Sequence, residues 1–206
     1  MHKKQTGGSG QYAKVAGYIE PLGEGEGNGF IFENKVRGGS IPTEFIPAIE
    51  KGIRSCLDKG RLIGFPVTAF RFVVDDGQAH AVDSSDIAFQ QAARGAFREA
   101  YPRAHPIVLE PVMKLAVESP VEFQGSVLKT IMQRRGVVIG TTEQEGFCAV
   151  DSEVPLSEMF GYATDLRSAT QGKAEFTMEF AKYSPAPAEL TETLIEKYKA
   201  KLKDEE

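Results

Sequence analysis

Tryptophan is absent from this 206-residue chain, cysteine occurs twice and histidine three times. Cys56 and Cys148 lie far apart with no metal-ligand spacing, which excludes a disulfide framework and favours buried thiols. His2, His80 and His105 complete no zinc pattern. No apolar run approaches the ~20 residues a membrane span needs, and the N-terminal Met-His-Lys-Lys carries no signal core. The phosphate loop GxxxxGK[ST] is also missing. The nearest glycine-rich stretch, Gln5–Tyr12, lacks the closing Lys-Ser/Thr and precedes a strand, so this chain has no cradle for nucleotide phosphates. Positive charge is scarce as well. The formal net charge is −5, with 24 Lys and Arg against 29 Asp and Glu. A non-specific nucleic-acid coat draws its affinity from phosphate neutralisation. RNA contact here must therefore come from a local patch, a shaped tip or positioning by other domains.

What is present is ordinary globular material: 41% hydrophobic and 9% aromatic residues, enough for one or two domains with their own cores. Residues 1–11 read as a loop rich in Gly and Lys. Tyr12–Leu22 alternates as strands do, and Gly23–Gly29 is a turn whose acidic residues speak against phosphate cradling. Extended structure resumes at Phe30–Phe32 and runs on to Val36. A helix follows with Phe45, Ile49, Ile53 and Cys56/Leu57 on one face, Pro47 in its first turn and Gly60 as its stop. Pro66–Val74 is a strand ending in a turn at Asp75–Gln78. Asp83–Asp86 opens a second helix through a capping Asp or Ser, with Phe89, Ala93, Ala96/Phe97 and Ala100 on one side. Pro102 and Pro106 bracket a domain junction.

Beyond it, strand Val112–Glu118 leads into Ser119-Pro-Val-Glu122, read as a capping box, and a helix with Phe123, Val127/Leu128 and Ile131 on one face that ends at Gly136. Strands 137–141 and 147–152 flank a turn at Thr142–Gly146. A second helix opens at Pro155 and ends at Gly172, and strand Ala174–Lys182 closes the domain. This is the βαββαβ order of a ferredoxin-like domain. Ser184–Pro187 is a stiff linker into an amphipathic helix carrying Leu190, Leu194, Tyr198 and Leu202, expected to dock on the domains before it. Its early Glu and late Lys residues suit the helix dipole.

Several blocks in fixed order carry a family resemblance: Gln5-Thr-Gly-Gly-Ser-Gly-Gln-Tyr12, Val82-Asp-Ser-Ser85, Leu109-Glu-Pro-Val-Met113 and Arg134-Arg-Gly136. The longest runs from Glu153-Val-Pro-Leu-Ser-Glu-Met-Phe160 to Lys173-Ala-Glu-Phe-Thr-Met-Glu-Phe180. They resemble the C-terminal domains of translation elongation factor G, the GTPase that moves tRNA and mRNA through the ribosome. The resemblance covers almost the whole chain. It implies an α+β protein in three parts: a split βαβ fourth domain over 1–105 with its N-terminal strand missing, a ferredoxin-like fifth domain over 106–184, and a terminal helix over 185–206. It also implies that GTP and Mg belong to a G domain lying elsewhere in a longer parent, with none bound by this chain. The implied partners are ribosomal RNA, tRNA and mRNA, and the G domain and domains two and three of the same polypeptide. No membrane is involved, and a monomer is expected.

The resemblance also assigns residues. In that family the fourth domain is an arm whose tip enters the decoding region. His80 falls on the tip histidine, and the neighbouring loop holds Lys4, Gln5, Thr6, Gly7, Gly8 and Ser9. The chemistry suits RNA: glycines allow close backbone approach, Gln and His bond ribose or base edges, and Lys3 and Lys4 meet phosphate. Many bacterial members carry Arg where Ser9 stands, and with Glu122-Phe-Gln-Gly125 this resembles the mitochondrial-type branch. The source is thus a bacterial cytoplasm or a mitochondrial matrix. In the fifth domain, Arg134, Arg135, Arg167 and Lys173 are candidates for large-subunit RNA, with solvated helix ends or intramolecular ion pairs as the competing readings of Arg135 and Arg167. The Met159-Phe160 and Gly161-Tyr162 pattern reads as core packing. His80, Asp83 and Ser84 superficially supply triad residue types, but helix capping explains the Asp-Ser-Ser run. A recycling or ribosome-protection paralogue, or a stand-alone ribosome-binding module, are the other functions this sequence allows.

Overall fold

The computed structural model describes residues 1–4, 10–23 and 25–204. The chain divides into two compact units, residues Met1–Pro106 with Glu192–Glu206, and Ile107–Thr191.

Unit 1 is a four-stranded sheet backed by two helices. Its strands are β1 (His2–Lys4), β2 (Gln11–Pro21), β3 (Phe30–Asn34) and β4 (Phe70–Gln78), in the order β1-β2-β4-β3. β3 and β4 run parallel, paired from Phe30↔Phe70 to Asn34↔Val74, and are joined by α1 (Ile46–Arg54). This is the βαβ element of the unit, and its two strands lie side by side. The helical spacing read for α1 buries Ile49 and Ile53, and Pro47 sits in its first turn where no N–H is missed. α2 (Asp86–Arg103) buries Ala88, Phe89, Ala92, Ala93 and Phe97. Phe45 stacks on Phe89 at 4.8 Å between ring centres, and Phe97 meets Phe70 at 5.9 Å. These rings, with Phe72 and Val74, form one core between sheet and helices.

Two expectations for this unit are corrected. Residues 2–4 are a strand rather than loop, paired from His2↔Ala13 to Lys4↔Gln11. Asp75–Gln78 does not turn but prolongs β4. Gly77 pairs with Val15 across a register shift at Ala16/Gly17, and a Cβ there would collide with the Lys14 carbonyl and the Ile41 side chain. The glycine is required by close approach of two strands, a need that reads like a turn signal in sequence.

Unit 2 has β5 (Leu109–Pro120), α3 (Gln124–Met132), β6 (Val137–Gln144), β7 (Phe147–Pro155), α4 (Tyr162–Ala169) and β8 (Glu175–Pro185). The sheet order β6-β7-β5-β8 with antiparallel neighbours is ferredoxin-like. The core joins Leu115, Val117, Val150 and Val154 from the sheet to Val127, Ile131, Tyr162 and Leu166 from the helices. The β6–β7 hairpin turns through Glu145 and Gly146, both at positive φ (52° and 85°), tighter than the five-residue turn expected.

The capping box does not form. Ser119 belongs to β5, where it is buried against the Cys148 sulfur at 3.3 Å, and a 3-10 turn over Val121–Phe123 precedes α3 without a side-chain cap. Glu122 bonds Lys173 instead, at 3.0 Å. The helix expected from Pro155 is likewise a 3-10 turn at Leu156–Glu158, and α4 begins only at Tyr162. Met159 and Tyr162 are buried as expected, whereas Phe160 is 83% exposed. The terminal α5 (Ala188–Asp204) returns to unit 1, where the Tyr198 ring lies over Gly64.

Candidate functional site

Two places collect the residues singled out in sequence. The first is the end of unit 1 where β1 and β4 stop and α2 starts. Lys4 pairs with Gln11, and three residues further along β2 Lys14 pairs with Gln78, so the segment after β1 and the segment after β4 leave from the same end of the sheet. Gln5, Thr6, Gly7, Gly8 and Ser9 lie outside the described residues. Lys3 and Lys4 are exposed on β1.

The 79–85 loop is held by its own polar atoms. Ser84 Oγ accepts from the His80 backbone N–H and donates to the Tyr12 carbonyl, both at 2.8 Å. The Tyr12 N–H donates to the Asp83 carbonyl at 2.9 Å. Ser85 caps α2 by accepting from the Ala88 N–H at 3.2 Å, satisfying a donor the helix leaves orphaned. A loop fixed at both ends this way presents its remaining side chains without further ordering cost.

His80 is the main one. Its side chain is 55% exposed. Nδ1 lies 3.4 and 3.3 Å from the backbone N–H groups of Val82 and Asp83 and 3.4 Å from the Asp83 carboxylate, so this nitrogen is engaged by its own loop. Nε2 has no bond among the described residues. Tyr12 meets the ring edge-on at 6.3 Å and donates its hydroxyl to Gln78 Oε1 at 2.7 Å. Val82 stands beside it, 82% exposed. The loop thus offers a free ring nitrogen, an aromatic face and an apolar side chain. It is not a triad, because the Ser84 hydroxyl is directed to backbone rather than to the imidazole. Tyr12 was not singled out in sequence, where it is one residue of an alternating strand.

The second place follows α3. Arg134 donates to the carbonyls of Glu158 and Phe160, pairs with Asp165 and lies 5.3 Å over the Tyr162 ring. Arg135, at φ +57°, forks onto both oxygens of Glu110 at 2.9 Å and reaches Glu158 at 2.9 Å. The Glu110 hydrogen bonds, and secondarily Glu158, hold the Arg135 guanidinium well above its ordinary pKa against the opposing effect of burial. Glu110 is itself buried. Arg134 and Arg135 are therefore committed inside unit 2. Lys173 also bonds Glu122 and lies 5.2 Å over Phe123, while half exposed. Arg167 is exposed on α4 and makes no ion pair among the described residues. Sequence had no signal for Glu110, which lies on another strand.

Among the described residues no cluster of His, Cys, Asp and Glu fits a metal, and no described helix is long and apolar enough to cross a membrane.

Comparison with known proteins fits this arrangement. Residues 1–105 match the family model "Elongation factor G, domain IV", and residues 107–194 match "Elongation factor G C-terminus". The chain belongs to the elongation factor G family. It is 58% identical over 205 residues to elongation factor G 1 of Treponema pallidum, covering 100% of this chain and 29% of that protein. Elongation factor G 2 of Anaeromyxobacter dehalogenans is 59% identical over 196 residues, 95% of this chain and 28% of that protein. A solved Thermus thermophilus protein superposes with a TM-score of 0.88 at 40% identity, over 97% of this chain and 29% of that one. The chain spans under a third of the length of these relatives.

Proposed function

We propose that this chain serves as the ribosome-facing C-terminal arm of a translocating elongation factor. The observation that carries the reading is His80, held on a self-bonded loop with Nε2 unbonded among the described residues, in a chain of this family. The tip, including Lys4 and the segment Gln5–Ser9, enters the decoding region and contacts tRNA and mRNA through hydrogen bonds, stacking and shape. Its action is positional: an ordered arm occupies space and blocks backward movement. The nucleotide step, with GTP and Mg, belongs to the rest of the parent polypeptide, and no residue of this chain is assigned to it. In unit 2, Arg167 is the best candidate for large-subunit RNA, because Arg134 and Arg135 are held by several partners each, and Lys173, half exposed but paired with Glu122, comes next. The bacterial relatives support a bacterial cytoplasm as the place of action over a mitochondrial matrix.

The test is a chimera in which this chain replaces the matching 205 residues of the Treponema pallidum relative. GTP-dependent movement of mRNA is followed on purified ribosomes, together with GTP hydrolysis and ribosome recycling. The expected outcome is translocation by the chimera and a slowing by His80→Ala of about tenfold, the worth of ~1.4 kcal/mol of lost contacts, at unchanged GTP hydrolysis. A chimera that splits ribosomes but never translocates assigns the chain to a recycling paralogue instead.

A further inference from the structure

A second charged region lies on the helical side of unit 1. Beyond the end of α1 and along the middle of α2, a cleft of about 620 Å³ is lined by Lys59, Arg61, Arg94 and Arg98, with Asp58 its only carboxylate. Phe97 also lines it, but only 3% of that residue is accessible. Arg94 Nε donates to Ser55 Oγ at 2.9 Å, which holds this guanidinium at the edge of the cleft. Lys59, Arg61 and Arg98 make no ion pair among the described residues. Other arginines of the chain are neutralised: Arg54 by Glu50, Arg103 by Glu99, and Arg71 by Glu20, Glu26 and Glu33. In a chain of net charge −5, four cations against one carboxylate form a local field of opposite sign.

Helix dipoles do not account for it. Lys59 and Arg61 follow the end of α1, where cations are favoured, but that effect fades within a turn. Arg94 lies at the middle of the 18-residue α2, and Arg98 lies more than a turn before its end. These two are four residues apart, on one face and ~6 Å along the axis. That separation is comparable with successive phosphates of an RNA strand, and a guanidinium fork matches a phosphate oxygen pair.

We propose that this cleft binds the phosphodiester backbone of RNA, without base specificity, at a site separate from the His80 tip. RNA is favoured over an acidic protein segment because the lining offers no exposed apolar side chain for a peptide to anchor on. The inference does not depend on the tip reading.

The experiment is fluorescence anisotropy of a labelled oligouridine with the whole chain, across a salt series. Arg94→Gln/Arg98→Gln is expected to weaken binding about tenfold and to reduce the slope of log affinity against log salt by ~1.4, two single-strand contacts. Lys59→Gln/Arg61→Gln, outside the helices, is expected to act in the same direction, so a folding defect in α2 cannot imitate the result. Lys114→Gln, on β5 of the other unit, is expected to bind like the parent. The proposal is overturned if the parent does not bind, or if both cleft variants bind like the parent. It is also overturned if only His80→Ala loses binding, which returns the RNA to the tip. Displacement of the RNA by polyglutamate at equal charge concentration assigns the cleft to an acidic protein segment.

Discussion

His80 and Arg135 are both polar residues next to a helix end, His80 before α2 and Arg135 after α3, and the two units use them in opposite ways. Around His80 the loop's hydrogen-bonding needs are met by Ser84, Ser85 and backbone groups, and Nδ1 lies against the Asp83 carboxylate and two backbone N–H groups, so Nε2 is the ring nitrogen left over among the described residues. Around Arg135 every nitrogen of the guanidinium donates to a carboxylate, Glu110 or Glu158. The side chain that looks weaker as an RNA ligand keeps one ring nitrogen unused, and the cationic pair is committed. A polar residue becomes a ligand for something else only when the fold satisfies its neighbours without it. Counting cations in a sequence cannot reveal that.

The largest expected effect breaks the committed site. Arg135→Ala leaves Glu110 buried without its partner, and should cost unit 2 about 3 kcal/mol, the low end for a broken buried pair because Arg135 is partly exposed. Urea denaturation followed by circular dichroism measures it. The double replacement Glu110→Leu/Arg135→Met should return to within ~1 kcal/mol of the parent, since it removes both charges together. A double variant no better than the single one would mean that Arg135 acts through something other than this pair.

A smaller effect is expected from the support of the tip. Ser85→Ala removes the α2 cap and should cost about 1 kcal/mol of unit 1 stability. The smallest is expected at the tip itself. His80→Ala should shift stability by less than ~0.5 kcal/mol, as exposed positions away from packing usually do. A loss near that of Arg135→Ala would erase the contrast between the two places.

How much of this was legible differs element by element. α1 and α2 were readable because Ile49, Ile53, Phe89 and Phe97 repeat at helical spacing and bury on one core. The βαββαβ order was readable from punctuation, and the structure has it. Gly77 misled because glycine serves close strand approach as well as turns. Ser119 misled because β5 runs through it, and a serine buried beside Cys148 has no free hydroxyl to cap a helix. His80 was singled out only through the family resemblance, since a lone loop histidine carries no pattern. Its neighbour Tyr12 and the Arg135 partner Glu110 were not legible, because both contacts join residues distant in sequence. The cluster of Lys59, Arg61, Arg94 and Arg98 was hidden for the same reason: its two halves come from separate segments that only the packing of α1 and α2 brings together.

The most direct test compares two variants in the Treponema pallidum chimera: His80→Ala and the charge-free pair Glu110→Leu/Arg135→Met. Translocation rate is measured for each at matched folded concentration. The account predicts a rate about tenfold lower for His80→Ala, ~1.4 kcal/mol, and a rate close to the parent for the double variant. A double variant that is slow, beside an unimpaired His80→Ala, would contradict it and make the arginine corner the ribosome contact.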